Sequence, residues 1–244
     1  MKYLNIITTY KCPFQCKFCY NISKTNDDAT LNIDVLDKFL EKNSNKFDKI
    51  IISGGEPSIT LHSYQEDVIN IVKKYTDNCE LSTYYFDLKK IFNKIRYNIS
   101  YDFRSRSHVD EVWNNLLNFP NPFDITVTLS PLLYKYYPNK ILQTFNYLKN
   151  VENVTFVPFF QHEAFPYKIE KRFLDQFKQL LLNCHFNLHY NVKFFEPYDE
   201  FNLTPNGELT HTYFDGLLRK EKIISEKDID KCITNYPREV LFDW

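Results

Sequence analysis

Glycine is scarce in this chain, with four among 244 residues, and alanine occurs only at Ala29 and Ala164. Where a chain this poor in glycine places two side by side, a close backbone approach or a turn is indicated. Neither sign of charge is in excess, since 30 Lys and Arg stand against 31 Asp and Glu for a formal charge of −1. Nothing in that balance tracks a phosphate backbone, so nucleic-acid binding is set aside as the main role. No run of about 18 apolar residues occurs, and no membrane span is expected. The first residues, Met1 to Ile7, lack a basic stretch followed by a long apolar run and a cleavage site. A cytoplasmic location is therefore expected. In that reducing compartment the six cysteines are expected to serve as thiols or metal ligands, not as a disulfide framework.

What the chain does have is a core. It is 43% hydrophobic, with 22 Phe and 18 Tyr, which excludes disorder. Most of the aromatics are read as core filling. The length suits one full domain with a small appendage, or one larger barrel-like α/β domain.

Short β-rich runs alternate with helical patterns to about residue 185, as repeated βα units around a parallel sheet would. Strands are expected at Tyr3–Thr8, Lys49–Ser53, Glu80–Tyr85, Tyr97–Phe103, Asp124–Leu129 and Val154–Phe160. Between them fall a helix with Ile33, Leu36, Phe39 and Leu40 on one face, and one opened by a Ser63–Glu66 capping box. A short helix is expected at Asp87–Lys94, one capped by Ser107 and Asp110, and others near Asn139–Leu148 and Ile169–Leu182. Beyond these six units, Phe186, Leu188, Tyr190, Val192 and Phe194 alternate as in a half-buried strand. Phe201–Leu203 and Glu208–Tyr213 flank Pro205-Asn206-Gly207, a hairpin turn signal. From Asp215 onward the tail is mixed and charged, and no internal repeat or low-complexity linker occurs.

The most informative residues are Cys12, Cys16 and Cys19, on a loop just past the first strand. Three thiolates within eight residues can converge on one soft metal centre. A structural zinc site takes four closed ligands, and no second CxxC pair completes one. Three ligands suit a [4Fe-4S] cluster with one iron left open for chemistry; accidental clustering of core thiols, or a redox pair, is the bland alternative. The second constellation is Ser53-Gly54-Gly55-Glu56-Pro57, at the carboxyl end of the second strand. Backbone without side chains lets a ligand approach, and the carboxylate that follows can accept hydrogen bonds from an ammonium group. Carboxyl ends of strands are where parallel α/β folds hold ligands.

A CxxxCxΦC loop with Phe18 at the aromatic position, followed by Gly-Gly-Glu-Pro after the second strand, resembles the radical S-adenosylmethionine (radical SAM) superfamily. The resemblance covers residues 1–185 and implies a partial (β/α)6, TIM-like barrel. It implies that Cys12, Cys16 and Cys19 hold a [4Fe-4S] cluster whose fourth iron is chelated by S-adenosylmethionine. Gly54, Gly55 and Glu56 match the stretch that receives the methionine ammonium, and Phe18 the position near the adenine. Ser100 and Asp102 on the fourth strand match polar positions used for the ribose. Arg104 is a candidate for the methionine carboxylate, Thr128 on the fifth strand faces the cofactor in this reading, and Pro158 on the sixth lies by the adenine.

Residues 186–244 are expected to form a small β-containing extension. The stretch Phe201 to Gly216 is similar to the hairpin that opens the SPASM or twitch extension of peptide-modifying radical enzymes. It carries His211 and Tyr213 where a ligating cysteine usually stands. Cys79, Cys184 and Cys232 lack ligand spacing, so no auxiliary cluster is expected. His162, His185, His189 and His211 are candidates for acid–base help. The resemblance implies an enzyme that, given an electron from a flavodoxin or ferredoxin-type donor, cleaves S-adenosylmethionine to a 5′-deoxyadenosyl radical. The expected substrate is a peptide or an amino-acid-derived compound. A small-molecule or nucleotide-derived substrate is the alternative. A non-catalytic iron–sulfur or zinc protein is the reading from another class.

Overall fold

The computed structural model describes residues 1–14, 16, 19, 21, 24–84, 87, 90–101, 108–129, 138–158, 171–183, 187–216 and 218–237. Its ten strands are β1 (Lys2–Ile7), β2 (Lys49–Ser53), β3 (Cys79–Thr83), β4 (Arg96–Ser100), β5 (Phe123–Leu129), β6 (Val151–Pro158), β7 (Asn191–Phe194), β8 (Asp199–Leu203), β9 (Leu209–Asp215) and β10 (Leu218–Ile223). They form one sheet in the order β10-β9-β8-β1-β2-β3-β4-β5-β6-β7. Every pairing from β8 through to β7 is parallel, and only the β8–β9 and β9–β10 pairings are antiparallel, so β9 alone runs against the rest. The fold class is therefore mixed α/β with a large, mostly parallel sheet. β1 to β6 stand side by side in sequence order, as consecutive βα units require.

Alternation along the strands divides the sheet into two faces. Leu4, Ile6, Ile50, Ile52, Ile99, Ile125, Val127 and Phe156 are buried on one of them. They share a core with residues of α1 (Ile33–Asn43), α2 (His62–Tyr75), α3 (Val109–Leu117), α4 (Pro138–Phe145) and α5 (Lys171–Leu182). Each fully buried aliphatic or aromatic side chain there contributes about 1.5–3 kcal/mol, which makes this face the main source of stability. The opposite face, away from the helices, holds Asn5, Lys49, Ser82, Asn98, Asp124, Thr126, Asn153 and Thr155 at alternate positions.

Several expected elements are corrected. α2 begins at His62 behind Leu61, with no side-chain cap, because Gln65 N–H already bonds Leu61 O at 3.1 Å. Ser63 thus lies inside the first turn, and its box with Glu66 is not the N-terminus. α3 follows His108, a residue at φ 61° that makes no side-chain cap, while Ser107 lies outside the described residues. Of the short helix expected at Asp87–Lys94, Asp87 and the described residues after Lys90 are coil or turn. The alternation from Phe186 to Phe194 yields only β7, since Leu188 and Tyr190 precede the strand. In the charged tail, β10 pairs with β9, and a 3-10 helix spans Glu226–Lys231 with Ser225 as its cap.

The hairpin lies where expected, but it belongs to the main sheet. β8 pairs with β1 in parallel register from Lys2↔Asp199 to Ile6↔Leu203. Deleting residues 186–244 would thus strip one hydrogen-bonding edge from the strand that leads into the cysteine loop.

Candidate functional site

Past β1, residues Thr8 to Lys11 run beside the end of β2. Thr8 N–H donates to Ser53 O at 2.9 Å, Gly55 N–H to Thr9 O at 2.7 Å and Glu56 N–H to Lys11 O at 3.0 Å. This zipper explains the glycine pair. A Cβ on Gly54 would stand 2.6 Å from Thr9 O, and one on Gly55 would stand 2.7 Å from the Tyr10 carbonyl carbon, with the Tyr10 and Lys11 oxygens nearer still. The pair lets two backbones touch and so fixes the base of the loop that carries Cys12.

Glu56 also holds the turn together. Its carboxylate is buried and points to the helix-covered side, where Oε1 accepts from Ser58 N–H at 3.1 Å and from Thr83 Oγ1, and Oε2 accepts from Tyr84 N–H at 3.0 Å. These are charge-assisted bonds that brace the turn. Replacing Thr83 with Val is expected to cost about 1–2 kcal/mol in urea denaturation, the worth of one bond to a buried charge. An unchanged midpoint would mean that the bond carries nothing.

On the loop, Cys12 N–H bonds Thr25 O at 3.2 Å and Cys19 N–H bonds Cys16 O at 2.9 Å. Cys16 is buried, Cys12 and Cys19 are half-buried, and none of the three is in a disulfide. Burial pushes the Cys12 thiol up to about 11; the charges of Glu56, Cys19 and Cys16 add to this, and the Phe14 backbone hydrogen bond opposes it. The three thiols thus lie within one another's electrostatic reach, and loading with a metal must displace a proton from Cys12. Among the described residues no three His, Cys, Asp or Glu groups stand as ligands of a single ion. A cubane takes one thiolate per iron, so its ligands stand further apart, and three soft donors with no fourth beside them fit it in type and number.

Beside the loop, the open face of the sheet encloses a cavity of about 560 Å3 that reaches Asn21, Ser53 and Gly54 at its loop end. Its lining is polar and laced together. Lys49 pairs with Glu80 at 2.6 Å, Asn98 donates to Glu80 at 3.1 Å, and Thr126 donates to Asn98 at 2.8 Å. Arg96 holds Asp124 through Nε at 2.6 Å and Nη2 at 2.7 Å, which raises the guanidinium pKa further. On the far wall, Arg219 pairs with Glu200, and Asn202 donates to Glu221 at 3.0 Å. Apart from Thr126, which alternates with Thr128 on the fifth strand, none of these residues belongs to a recognisable motif. Their signal was the polar alternation itself, since buried parallel strands usually read as continuous apolar runs.

Burial raises the Glu221 pKa against the pull of Arg219. A carboxyl raised on folding contributes stability that is fully present below its unfolded pKa, about 4.3, and is lost as pH rises through the folded value. Glu221→Gln, which can still accept from Asn202, is therefore expected to melt higher than the parent at pH 7. The gap should close below about pH 4. A variant less stable at pH 7 would refute this.

Ser100 and Thr128 share the strand face of Asn98 and Thr126, both of which line the cavity. Pro158 is buried on the other face of β6, and its neighbour Val157 lines the cavity instead. Phe18, Asp102 and Arg104 lie outside the described residues, as do Cys184, His162 and His185. His211 is buried against Phe201 and Thr234, with its pKa lowered by burial, and does not line the cavity. His189 bonds Asn146 Oδ1 at 3.0 Å and Leu148 O at 2.6 Å at the surface. No helix among the described residues is long and apolar enough to cross a membrane.

Comparison with known proteins agrees with this layout. The family model described as the radical SAM superfamily matches residues 6–101, which include the end of β1, the cysteine loop and the Gly-Gly turn. A Methanocaldococcus jannaschii protein, provisionally named a glycyl-radical enzyme activating enzyme, is 36% identical over 97 residues, or 36% of this chain and 34% of its own. Streptococcus suis SuiB bound to S-adenosylmethionine superposes with a TM-score of 0.69 at 10% identity, covering 85% of this chain and 59% of SuiB. The anSMEcpe structure with bound AdoMet gives a TM-score of 0.60 at 14% identity, over 86% of this chain and 74% of that one. The chain thus spans about a third of the curated relative and three-fifths of SuiB. The family uses a [4Fe-4S] cluster and S-adenosylmethionine. Residues 6–101 are thus similar to the radical SAM superfamily in sequence, and most of the chain is similar to SuiB and anSMEcpe in fold.

Proposed function

We propose that the chain binds a [4Fe-4S] cluster through Cys12, Cys16 and Cys19 and cleaves S-adenosylmethionine reductively, acting on a polypeptide substrate in the open-face cavity. The observation that carries this reading is the zipper of Thr8–Lys11 onto Ser53–Glu56, which joins the three-thiol loop to the Gly-Gly turn at one end of that cavity. When bound and reduced, cluster and S-adenosylmethionine together supply a 5′-deoxyadenosyl radical that takes a hydrogen atom from the substrate. The chain's own residues bind and position. Gly54, which lines the cavity, offers backbone to the methionine end and Gly55 holds it in place, while Ser100 and Thr128 offer hydroxyls on the cavity side. Phe18, Asp102 and Arg104 retain the adenine, ribose and carboxylate roles that the family motif implies. Glu56 braces the turn from behind. The cavity walls hold the target C–H bond near the reactive carbon and keep water away.

Two similarities support a polypeptide. SuiB has been solved with its precursor peptide SuiA, with a TM-score of 0.64 to this chain, and the curated relative carries the name of an activating enzyme, whose target would be a protein. Residues 186–244 then form an extension without an auxiliary cluster, whose β8 and β10 supply the far wall of the cavity. A flavodoxin or ferredoxin-type protein would donate the electron.

The test is anaerobic reconstitution with iron and sulfide followed by metal analysis. About four irons per chain are expected. About eight would restore an auxiliary cluster, and bound zinc without iron would return the loop to a structural role.

A further inference from the structure

The wall of the open-face cavity carries more negative than positive groups, with five carboxylates against three cationic side chains. Most of them are spoken for. Lys49 holds Glu80 at 2.6 Å, Arg219 holds Glu200, and Asp124 takes Arg96, which reaches it from outside the lining. The exposed Lys193 and Glu196 offset each other in sign. Glu221 is the carboxylate left over. Its side chain is 14% exposed and lines the cavity, so part of it is within reach of a molecule there.

Glu221 accepts from Asn202 at 3.0 Å and from the Thr210 hydroxyl at 3.5 Å. Both are neutral donors. The cation beside it, Arg219 Nη2 at 3.9 Å, is the same nitrogen that pairs with Glu200. Lys24 acts on Glu221 from an exposed position over the Tyr10 ring, where water and salt screen it. Burial raises the Glu221 pKa and Glu200 adds to this, so the ionised form costs the fold stability at pH 7. A glutamine could accept the same bond from Asn202 without that cost. A charge the fold would be more stable without points to a use outside the fold.

Its place in the cavity excludes the methionine ammonium as the partner. Glu200, which shares Arg219 with Glu221, is level with Tyr3, and Tyr3 is level with Lys49 at the start of β2. The Gly-Gly turn lies past Ser53, four residues and about 13 Å further along that strand. At the Glu200 level the rings of Tyr3 and Tyr198, stacked at 4.1 Å, also line the cavity, and aromatic faces attract cations.

We propose that the substrate brings a positively charged nitrogen group into this cavity, an ammonium or guanidinium such as a Lys or Arg side chain of a polypeptide carries, and that Glu221 on β10 receives it. The inference rests on the substrate role proposed above for the cavity and adds the chemistry of the group it selects. Hydrogen bonds between an ionised donor and a carboxylate are of the strong class, so one such contact gives selectivity. Glu221 is then a specificity-determining residue supplied by the extension.

The test titrates three acetylated, amidated tripeptides, Gly-Lys-Gly, Gly-norleucine-Gly and Gly-Glu-Gly, into the reconstituted, unreduced full chain and follows side-chain amide NMR. The lysyl peptide is expected to bind roughly ten-fold tighter than the norleucyl one, whose side chain is of similar length and uncharged. It should shift the Asn202 amide, and the glutamyl peptide should bind more weakly than either. Glu221→Gln, whose fold is expected to be the more stable, should bring the lysyl and norleucyl peptides level. Were n-butylamine to bind as tightly as the lysyl peptide, the charged group would be supported and assigned to a small amine. Equal affinity for the three peptides, no binding of any, or a lysyl preference that survives Glu221→Gln would overturn the proposal and leave S-adenosylmethionine cleavage, assayed without peptide, untouched. A chain that keeps the lysyl preference but never cleaves S-adenosylmethionine would refute the proposed function and leave a cation-selective cavity.

Discussion

Replacing Cys16 with alanine is expected to leave the purified chain folded but unable to hold its cluster, with 5′-deoxyadenosine formation lost. The expected fall exceeds the roughly 10–100-fold that follows loss of an outer partner of a metal site, because a ligand itself is removed. Cys16 is the buried member of the three, bonded through its carbonyl to Cys19 N–H, so two half-buried thiols would remain. Two ligands leave two irons of a cubane open. Iron per chain, measured after reconstitution, should fall with activity. If Cys16→Ala kept its cleavage activity, the loop would not be the cluster site and the proposed function would fail with it.

The second large effect is on stability. Gly55→Ala would drive a methyl group into the Tyr10 and Lys11 backbone, where Tyr10 C stands 2.7 Å from the ideal Cβ position. Backbone cannot swing aside as a flexible side chain can, so the strands would separate and the Gly55-to-Thr9 and Glu56-to-Lys11 bonds would weaken. Overpacking of this kind costs about 3 kcal/mol. The same change should impair cluster loading, because the bonds that break hold the residues directly before Cys12. Gly216 is a suitable comparison: a Cβ there meets nothing within 4 Å, although its φ of +61° adds local strain. Denaturation midpoints of the two variants should therefore differ widely. A Gly55→Ala protein as stable as the parent would contradict the zipper.

The strands β1 to β6 were legible because each keeps its apolar residues in step. Lys49–Ser53 shows this with Ile50 and Ile52 inward, and the structure keeps its bounds. The helix starts were less legible. Ser63 has the residue type and spacing of a cap, yet the chain leaving the 3-10 turn at Pro57–Ile59 enters the helix two residues earlier. The Gly54–Gly55 pair stood out for its rarity, but its role could not be read without the neighbouring strand, since the atoms it makes room for belong to Thr9, Tyr10 and Lys11. The bracing contacts of Glu56 were hidden for a similar reason: its partners Thr83 and Tyr84 are 27 and 28 residues away in sequence. The polar lining of the open face was visible in principle. Asn98, Asp124, Thr126, Asn153 and Thr155 interrupt strands that would otherwise be apolar on both sides, and each interruption proved to face the cavity. That β8 would pair with β1 had no local signal, because parallel pairing between the two ends of a chain is set by packing and not by any turn.

The central claim is that the cysteine loop and the Gly-Gly turn together make a site for reductive cleavage of S-adenosylmethionine. The most direct measurement is to incubate the reconstituted, dithionite-reduced protein with S-adenosylmethionine under anaerobic conditions and quantify methionine and 5′-deoxyadenosine. Equal amounts of the two, formed only when both iron and reductant are present, are predicted. A protein that carries its full complement of iron, binds S-adenosylmethionine and yields neither product would contradict the account.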